Sequence, residues 1–405
     1  MKILVLNAGS SSHKCCLYEI ENALSDRPPA AIWEAQIDWE PAENSAALAV
    51  RTAQGKNLSE KLDVTSRRDT LSYLLNTLSQ GETQVVSRLE EIDIVGHRVV
   101  HGAQAYQSSV VITSEVKEAI ARFIPLAPNH NPANLEGIEL MEQLLADIPQ
   151  VAVFDTAFHS QMPPVAATYP GPYDWLEKGI RRYGFHGISH QYCMQRAAQI
   201  LNRDQHNLRL IICHLGNGGS LCAVRQGQSI DTTMGFTPLD GLMMGTRSGA
   251  VDPGILIYLM RQGHSADELD HQLNAESGLS GISGVSHDLR AVAEAALQGS
   301  QRAQLAKDLY LHRLKACMGS MLMSLGGVDA IVFTAGIGEN SAWVREHICA
   351  SMAFLGLSLD HAKNESKPVD QDIATANSAV RALVIHTQED WAIAQACWQL
   401  LSDRA

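Results

Sequence analysis

One pattern, an apolar run, a small polar turn and a second apolar run, occurs twice in this chain. The first copy covers residues 3–18 with its turn at 7–12, and the second covers 208–224 with its turn at 214–220. Each copy is predicted to be a β-hairpin. Turns rich in Gly, Ser and Asn expose backbone N–H groups and short polar side chains that suit a phosphate. One hairpin in each half therefore indicates a duplicated fold with two phosphate-handling turns facing one cleft, which favours a kinase.

Length, charge and cysteine spacing restrict the number of domains, the kinds of partner and the cellular compartment that are expected. At 405 residues the chain is too long for one ordinary core, so two domains are expected. The net charge of −13 argues against a nucleic-acid partner, which needs a basic surface. No apolar stretch approaches the ~20 residues that span a bilayer, so no membrane partner is expected. Because the eight cysteines form no C-x-x-C pairs and a strand-like run follows residue 2 directly, we expect a cytoplasmic protein with reduced cysteines.

Strand and helix patterns alternate along the chain. Apolar alternation and β-branched residues predict strands at 2–6, 13–20, 92–100, 151–155, 208–215, 220–225, 329–334 and 381–386. Helical periodicity with capping residues predicts helices near 69–80, 114–124, 135–146, 188–202, 302–325 and 389–402. This interleaving implies an α/β fold. A Pro/Gly-rich stretch at 162–172 predicts a first domain at 1–160 and a second at 161–388, with the final helix at 389–405 packing back on the first.

Two arginines and two acids occupy positions that suit catalysis. Arg98 ends an apolar strand and Arg247 follows a glycine turn, so both are expected to project into a cleft. A guanidinium group is planar and always charged, and it matches a carboxylate or a phosphoryl group. Asp155 ends another apolar strand, as either a catalytic carboxylate or a helix cap. Glu389 either stabilises a helix N-terminus or, near Asn7, forms an oxygen-rich site for a mostly hydrated Mg²⁺.

A third glycine turn and several histidines add to this pattern. The run at 333–340 places a glycine turn after a strand and before a helix, which is a nucleotide-binding context without a dinucleotide fingerprint. No P-loop motif occurs in the sequence. His186 and His190 have the spacing of a helical zinc pair, but the sequence lacks the accompanying Glu and an evident third ligand. Histidines in polar runs are therefore expected to donate to phosphate oxygens; they are His130, His159, His186 and His214.

Taken together, these runs resemble the acetate kinase family. The matching segments follow the family order from residue 1 to about 400. They are NAGSSS at 7–12 with Lys14, GHRVVHG at 96–102, HNP at 130–132, FHG at 185–187, HLGNG at 214–218, MGFTP at 234–238 through Arg247, and TAGIGEN at 334–340. The family belongs to the sugar kinase and actin superfamily. The resemblance therefore implies two duplicated ribonuclease H-like domains, with the active site in the cleft between them.

The resemblance also implies a role for each matching residue. Asn7 and Glu389 help to hold Mg²⁺, for which Mn²⁺ can substitute, and Ser10 and Ser12 belong to the phosphate turn. The acyl substrate binds Arg98 in a pocket walled by Val100, Asn129, Phe185 and Pro238. The catalytic set is Arg98, His130, Asp155, His186 and Arg247. The nucleotide site is lined by Lys14, His214, Leu215, Gly216, Asn217, Gly218, Asp288, Leu289, Arg290, Gly336, Ile337, Gly338, Glu339 and Asn340.

The function implied is reversible, Mg²⁺-dependent transfer of the γ-phosphoryl group of ATP to acetate, giving acetyl phosphate and ADP, in a homodimer formed through the second domain. A carboxylate nucleophile has a pKa near ~4 and is already ionised at neutral pH, so no general base is required. Asp155 is therefore expected to position Mg²⁺ or a cleft arginine.

Two alternatives remain at this stage. Asn129 stands where the family usually has Leu, which leaves open a sister kinase for propionate or butyrate. The other alternative, from a different class, is a nucleotide-binding regulatory protein without turnover. The joint presence of both arginines and the Mg²⁺ carboxylate argues against that class, since such a protein has no need to keep them.

Overall fold

The computed structural model describes residues 1–9, 12–21, 23–25, 27–40, 45–64 and 66–402. Its strands are β1 (Lys2–Ala8), β2 (Ser12–Glu19), β3 (Trp33–Glu40), β4 (Ser45–Thr52), β5 (Asn57–Asp63), β6 (Ile94–Val99), β7 (Val110–Val111), β8 (Gln150–Phe154), β9 (Arg209–Leu215), β10 (Gly219–Arg225), β11 (Gln228–Thr232), β12 (Ala330–Thr334), β13 (Gln371–Asp372) and β14 (Arg381–Val384). Its helices are α1 (Arg67–Ser79), α2 (Ser114–Arg122), α3 (Asn131–Leu144), α4 (Pro164–Ala167), α5 (Tyr173–Glu177), α6 (Gly187–Leu201), α7 (Pro253–Arg261), α8 (Ala266–Ala275), α9 (Gly278–Ser283), α10 (Leu289–Leu297), α11 (Gln301–Leu325), α12 (Ala335–Asn340), α13 (Ala342–Ser351), α14 (His361–Glu365) and α15 (Glu389–Ser402).

The chain divides into two compact units, each with its own sheet. Unit 1 is Met1–Ala157 together with the residues from Gln388 onward, and unit 2 is Phe158–Thr387. Among the described residues, none of the helices combines the length and the apolar character needed to cross a bilayer.

The sheet of unit 1 has the strand order β5-β4-β3-β2-β1-β6-β8-β7. Strands β1 to β5 form an antiparallel meander, and β6 and β8 run parallel to β1. The central strand β1 is apolar on both faces because helices α3 and α15 pack against it. Gly96 lets α15 approach β6, since a Cβ built there would lie 2.6 Å from Sγ of Cys397 and 2.7 Å from Cγ2 of Ile393. This packing brings the first turn of α15 into the cluster of charged residues described below.

Unit 2 repeats the central part of this topology. Its strand order is β11-β10-β9-β12-β14-β13, in which β9, β10 and β11 are antiparallel and β12 and β14 run parallel to β9. Three antiparallel strands followed by two parallel ones therefore occur in both units, and the predicted duplication and α/β class are confirmed. The core of unit 2 lies between this sheet and helices that include α11, around Ile211, Phe333 and Leu314.

The structure corrects several predictions of secondary structure. Strand β6 begins at Ile94, so residues 92–93 precede it. The meander strands β3, β4 and β5 were not predicted, although Trp33, Ile37 and their alternate neighbours are buried as a strand requires. Strand β5 has no fully buried residue, because it is an edge strand held by backbone pairing with β4. Helices α7 to α10 were also absent from the prediction.

Candidate active site

In unit 1, Arg98 is the centre of a cluster of polar side chains at the ends of β1, β6 and β8. Its Nε donates to Oδ1 of Asp155 at 3.2 Å and its Nη2 donates to Oδ2 at 2.5 Å, so the contact is bidentate. Its Nη1 donates to Oδ1 of Asn7 at 3.4 Å. Both oxygens of the buried Asp155 carboxylate are thus engaged by the guanidinium. The arrangement fixes the orientation of Arg98 within the unit.

The first turn of α15 adds two acids to this cluster. Nζ of Lys14 donates to Oδ2 of Asp390 at 2.5 Å. Burial alone would lower the pKa of Arg98, but the carboxylates of Asp155, Glu389 and Asp390 raise it above its usual range. For Glu389, burial and the neighbouring Asp390 raise the pKa of the carboxyl despite the attraction of Arg98 and Lys14. The cluster therefore has more negative charge than its two cations balance.

Helix α3 fixes the strand ends that support this cluster. Nδ2 of Asn134 donates to the carbonyl oxygen of Ala8 at 2.8 Å, and its Oδ1 accepts from the backbone N–H of Val100 at 3.1 Å. One buried amide thereby connects the end of β1 to the residue just after β6. Oδ1 of Asn131 accepts from the backbone N–H of His101 at 3.2 Å. These two asparagines hold the backbone on which Arg98 sits.

In unit 2, three polar side chains converge on the second glycine turn, where the backbone N–H of Gly216 donates to the carbonyl of Gly218 at 2.9 Å. A Cβ built on Gly218 would lie 3.6 Å from Nη1 of Arg247 and 3.7 Å from Nε2 of His186. A Cβ built on Gly216 would lie 4.0 Å from Nε2 of His214. The tips of one guanidinium and two imidazoles are therefore next to the turn that was predicted to handle a phosphate.

The two histidines at this turn are stacked. The ring centroids of His186 and His214 are 4.1 Å apart with an interplanar angle of 18°. Nδ1 of His214 forms a hydrogen bond with Oγ of Ser189 at 2.8 Å, and Ser189 in turn bonds Oγ1 of Thr387 at 2.9 Å. His186 occupies the left-handed region with φ 57° immediately before α6. A non-glycine residue in that region is strained, and such strain is concentrated at functional sites.

The loop that carries Arg247 is held by its backbone. The N–H of Gly245 donates to the carbonyl of Asn217 in the glycine turn at 3.0 Å. The carbonyl of Met244 accepts from the N–H of Leu279 in α9 at 2.9 Å. Burial lowers the pKa of Arg247, which stays far above neutral pH in any environment of this kind. The guanidinium is thus a fixed positive charge at the turn.

The third predicted glycine turn is a helix in the structure, which corrects that prediction. Gly336, Ile337, Gly338, Glu339 and Asn340 lie in α12, which begins directly after β12 at Ala335 with φ 63°. The carboxylate of Glu339 accepts from the backbone N–H of Ala335 at 2.9 Å and of Thr387 at 3.2 Å. This capping carboxylate explains why the run folds as a helix at once.

The remaining predicted residues of unit 2 lie in three environments. Phe185 is buried, and its carbonyl is 3.0 Å from Nε2 of His159. Pro238 offers its carbonyl to Nη1 of Arg247 at 3.3 Å. Asp288 caps α10, where Leu289 is buried, and forms an ion pair at 2.6 Å with the exposed Arg290.

In unit 1, the first phosphate turn is described only in part, since Ser10 lies outside the described residues. Ser12 begins β2 and its carbonyl accepts from the N–H of Gly9 at 2.8 Å. Val100 is buried, as a pocket wall requires, whereas Asn129 is exposed beside a surface groove. His130 immediately precedes α3 and is partly buried.

Sequence reasoning missed several polar residues that support these clusters. Asn134 and Ser189 are buried polar side chains on helices, and Ser220, the last residue of the predicted second turn, is buried in β10. Their only sequence signal is a small polar residue at a position where the helix or strand pattern predicts burial. His190 was noticed only as a possible zinc ligand. Its contacts in the structure are with Ser220 and other histidines.

Known proteins match this chain over nearly its full length. The sequence model described as "Acetokinase family" matches residues 2–395. The chain is 69% identical over 399 residues to an acetate kinase of Acaryochloris marina, covering 98% of this chain and 99% of that protein. It is 62% identical to an acetate kinase of a Nostoc species, covering 99% of this chain and all of that protein. The crystal structure of Porphyromonas gingivalis acetate kinase matches with a TM-score of 0.90 and 40% identity over 99% of both chains. A propionate kinase structure from Francisella tularensis matches with a TM-score of 0.88 and 40% identity over 98% of both chains.

The duplicated sheets, together with the match to solved acetate and propionate kinases at 40% identity, show a kinase with the sugar kinase and actin fold. The family model matches nearly the whole chain and narrows this class to one family. The chain belongs to the acetokinase family.

Proposed function

We propose that this chain catalyses the reversible transfer of the γ-phosphoryl group of ATP to acetate, giving acetyl phosphate and ADP. The observation that carries the proposal is the convergence of Arg247, His186 and His214 on the glycine turn of unit 2. The choice of acetate as acceptor is supported by relatives named acetate kinase at 57–69% identity over nearly the full chain. The chemistry needs charge neutralisation and alignment, because both reactants are anions.

Unit 1 is proposed to bind the acceptor through Arg98. Its hydrogen bonds to Asp155 and Asn7 use three of the five N–H donors of a guanidinium, and the other two have no partner among the described residues. Two neighbouring N–H groups can bind a carboxylate. Asp155 is then a positioning residue for Arg98, and its engaged oxygens make it unsuitable as a base. Acetate needs none, since it is ionised at neutral pH.

Unit 2 is proposed to bind the transferring phosphoryl group. Negative charge on its oxygens must be stabilised in the transition state, and preorganised donors do this without reorganisation. Nη1 of Arg247 and Nε2 of His186 lie 3.6 and 3.7 Å from the same built Cβ on Gly218, so one phosphoryl oxygen near Gly218 can accept from both. An arginine that acts at this step contributes about 10³–10⁵ in rate in other phosphoryl-transfer enzymes.

The charge balance in unit 1 fits a divalent cation. Mg²⁺ keeps several waters and takes only one or two protein oxygens together with substrate phosphates, so a dedicated cage is unnecessary. In the described part of the chain, no group of three or more His, Cys, Asp or Glu side chains has the arrangement of a metal cage. Burial and the neighbouring Asp390 raise the pKa of Glu389, and a divalent cation would favour its ionised form. We propose that Glu389 and Asn7 hold Mg²⁺, which when bound neutralises phosphate charge.

We also propose that the protein is a homodimer through unit 2. Helix α7 has no buried residue although its sequence is largely apolar. Ile255, Ile257, Tyr258 and Met260 are each about half exposed, at 48%, 52%, 61% and 55%. An exposed apolar helix of this kind is typical of an interface that a second copy covers.

A cytoplasmic location is proposed from the cysteines. All eight are free thiols, and seven of them are buried. Burial raises the pKa of the thiols of Cys222, Cys349 and Cys397 to about 12, so they remain protonated and unreactive. Thiols in this state are usual in a reducing compartment.

The proposed activity is tested by trapping acyl phosphates with hydroxylamine in reactions that contain ATP, Mg²⁺ and formate, acetate, propionate or butyrate. We expect the highest kcat/KM with acetate and ADP release that depends on the acid. A maximum at propionate or butyrate would change the assigned acceptor. ADP release that is equal with and without acid would refute acyl-phosphate formation altogether.

A further inference from the structure

A buried serine links His186 to a second histidine behind it. Oγ of Ser220 lies 3.0 Å from Nδ1 of His186 and 2.8 Å from Nε2 of His190. Ser220 and His190 are both fully buried. Nδ1 of His190 has no hydrogen-bond partner among the described residues. The order from the interior to the glycine turn is therefore His190, Ser220, His186.

The number of hydrogens available to His190, Ser220 and His186 restricts which of these groups can donate and which must accept. A serine hydroxyl has one hydrogen to donate, so it cannot donate to both imidazoles. Burial, together with the nearby His159 and His214, holds the pKa of His190 well below 6.5, so this ring is neutral with a single N–H. If that hydrogen were on Nδ1, a buried donor would have no acceptor, which is unfavourable. With the hydrogen on Nε2, His190 donates to Ser220, and the hydroxyl is directed to Nδ1 of His186.

We propose that His190 and Ser220 are positioning residues that fix neutral His186 as the tautomer with its hydrogen on Nε2. In a histidine, the bond made by one ring nitrogen decides which nitrogen keeps the proton. Nδ1 of His186 accepts from Ser220, and Nε2 is left as an N–H donor. This proposal rests on the phosphoryl transfer proposed above, because it assigns what His186 offers to that reaction.

The position of Nε2 of His186 shows what this tautomer can contribute to phosphoryl transfer. This atom and Nη1 of Arg247 lie 3.7 and 3.6 Å from the same built Cβ on Gly218, so the N–H is beside the place assigned to the phosphoryl group. A neutral donor also avoids repulsion from Arg247 and from the ring of His214 stacked at 4.1 Å. In this tautomer His186 donates from Nε2 as a neutral imidazole.

The ring tautomers can be read directly by ¹⁵N NMR of the full-length protein labelled with ¹⁵N-histidine, without substrates. The His186 signals are assigned by their loss in a His186→Asn variant. In the wild type we expect a protonated Nε2 and an unprotonated Nδ1. In Ser220→Ala we expect the Nδ1–H form to be populated, and Ser220→Thr, which keeps a hydroxyl on the strand, should restore the wild-type pattern.

The matched control is Ser229→Ala. Ser229 is also a buried serine of unit 2 bonded to a histidine, at 2.7 Å from Nδ1 of His159, but it does not contact His186. We expect Ser220→Ala to lower kcat about 10–10²-fold with KM for ATP and acetate within about twofold, and Ser229→Ala to leave both the His186 spectrum and kcat near wild type.

Three results would overturn the proposal. One is a wild-type spectrum in which His186 has its proton on Nδ1. This measurement does not depend on the folding of any variant. Another is a Ser220→Ala spectrum identical to the wild type. The third is an equal loss of kcat in Ser229→Ala, which would indicate a packing effect. A protein that shows the expected tautomer but makes no acyl phosphate would refute the proposed function and not the proton arrangement.

Discussion

Replacing Gly218 by alanine should block the phosphoryl site without disturbing the fold. The built Cβ lies 3.6 Å from Nη1 of Arg247 and 3.7 Å from the ring of His186, which are ordinary van der Waals contacts. The φ angle of Gly218 is not positive, so an alanine can adopt the same backbone conformation without strain. The methyl group would nevertheless fill the space toward which both donors point.

The size of the effect follows from the hydrogen bonds that are lost. A phosphoryl oxygen cannot share that space with a methyl carbon, so the bonds from Arg247 and His186 cannot form. Hydrogen bonds to charged groups are worth about 1.5–3 kcal/mol each, and two of them correspond to about 10²–10⁴-fold in kcat/KM. The Tm should change little.

The matched control for Gly218→Ala is Gly219→Ala, one residue along the chain. Its built Cβ would meet Cδ1 of Leu242 at 3.5 Å and the carbonyl of His214 at 3.6 Å, so the contacts are equally loose but face away from the donors. Hydroxylamine trapping measures activity, and thermal unfolding measures stability. Full activity in Gly218→Ala, or an equal loss in both variants, would refute the placement of the phosphoryl group.

Other substitutions separate binding, positioning and stability. Arg247→Ala should mainly lower kcat and Arg98→Ala should mainly raise KM for acetate, and steady-state kinetics that show equal effects on both parameters would contradict this division. Gly278 has φ 63° and a built Cβ 2.3 Å from the carbonyl of Met244, so Gly278→Ala should displace the loop of Arg247. We expect the free energy of unfolding in urea to fall by about 1–3 kcal/mol and kcat to fall as well. A variant with unchanged stability and kcat would contradict this expectation. Burial lowers the pKa of His97 to about 4 from 6.5, so the unfolded chain binds the proton first and stability should fall as pH drops from 6.5 to 4, by about 3 kcal/mol for this residue. Urea unfolding against pH should show a shallower slope in His97→Gln, and the same slope in both proteins would refute the assignment.

The parts of the fold that sequence predicted are those with a local signal. The two hairpins combine apolar strands with turns of Gly, Asn and Ser, so their duplication was visible without any contact information. Strand β5 has only Leu58 and Leu62 on its inner face, with Glu60 between them, and it is held largely by pairing with β4, which no local pattern encodes. The glycine run at 336–340 looked like a turn because its helix depends on the carboxylate of Glu339, which accepts from its own first turn.

The same distinction holds for the candidate site. Arg98, Arg247 and His186 were predicted because arginine after a strand or turn, and histidine in a polar run, are chemically distinctive. The residues that support them were not predicted. Asn134, for example, bonds Ala8, which is 126 residues away in the sequence, and Val100, which is 34 residues away. Contacts of that range become visible only when the strands are assembled.

In the proposed reaction a carboxylate oxygen of acetate attacks the γ-phosphorus of ATP. Acetate labelled with ¹⁸O in both oxygens, incubated with ATP, Mg²⁺ and the full-length protein, tests it through the isotope shift in the ³¹P spectrum of the product. We expect acetyl phosphate with ¹⁸O in the bridge between carbon and phosphorus, formed together with ADP. Acetyl phosphate with an unlabelled bridge, or ADP accompanied only by inorganic phosphate, would contradict it.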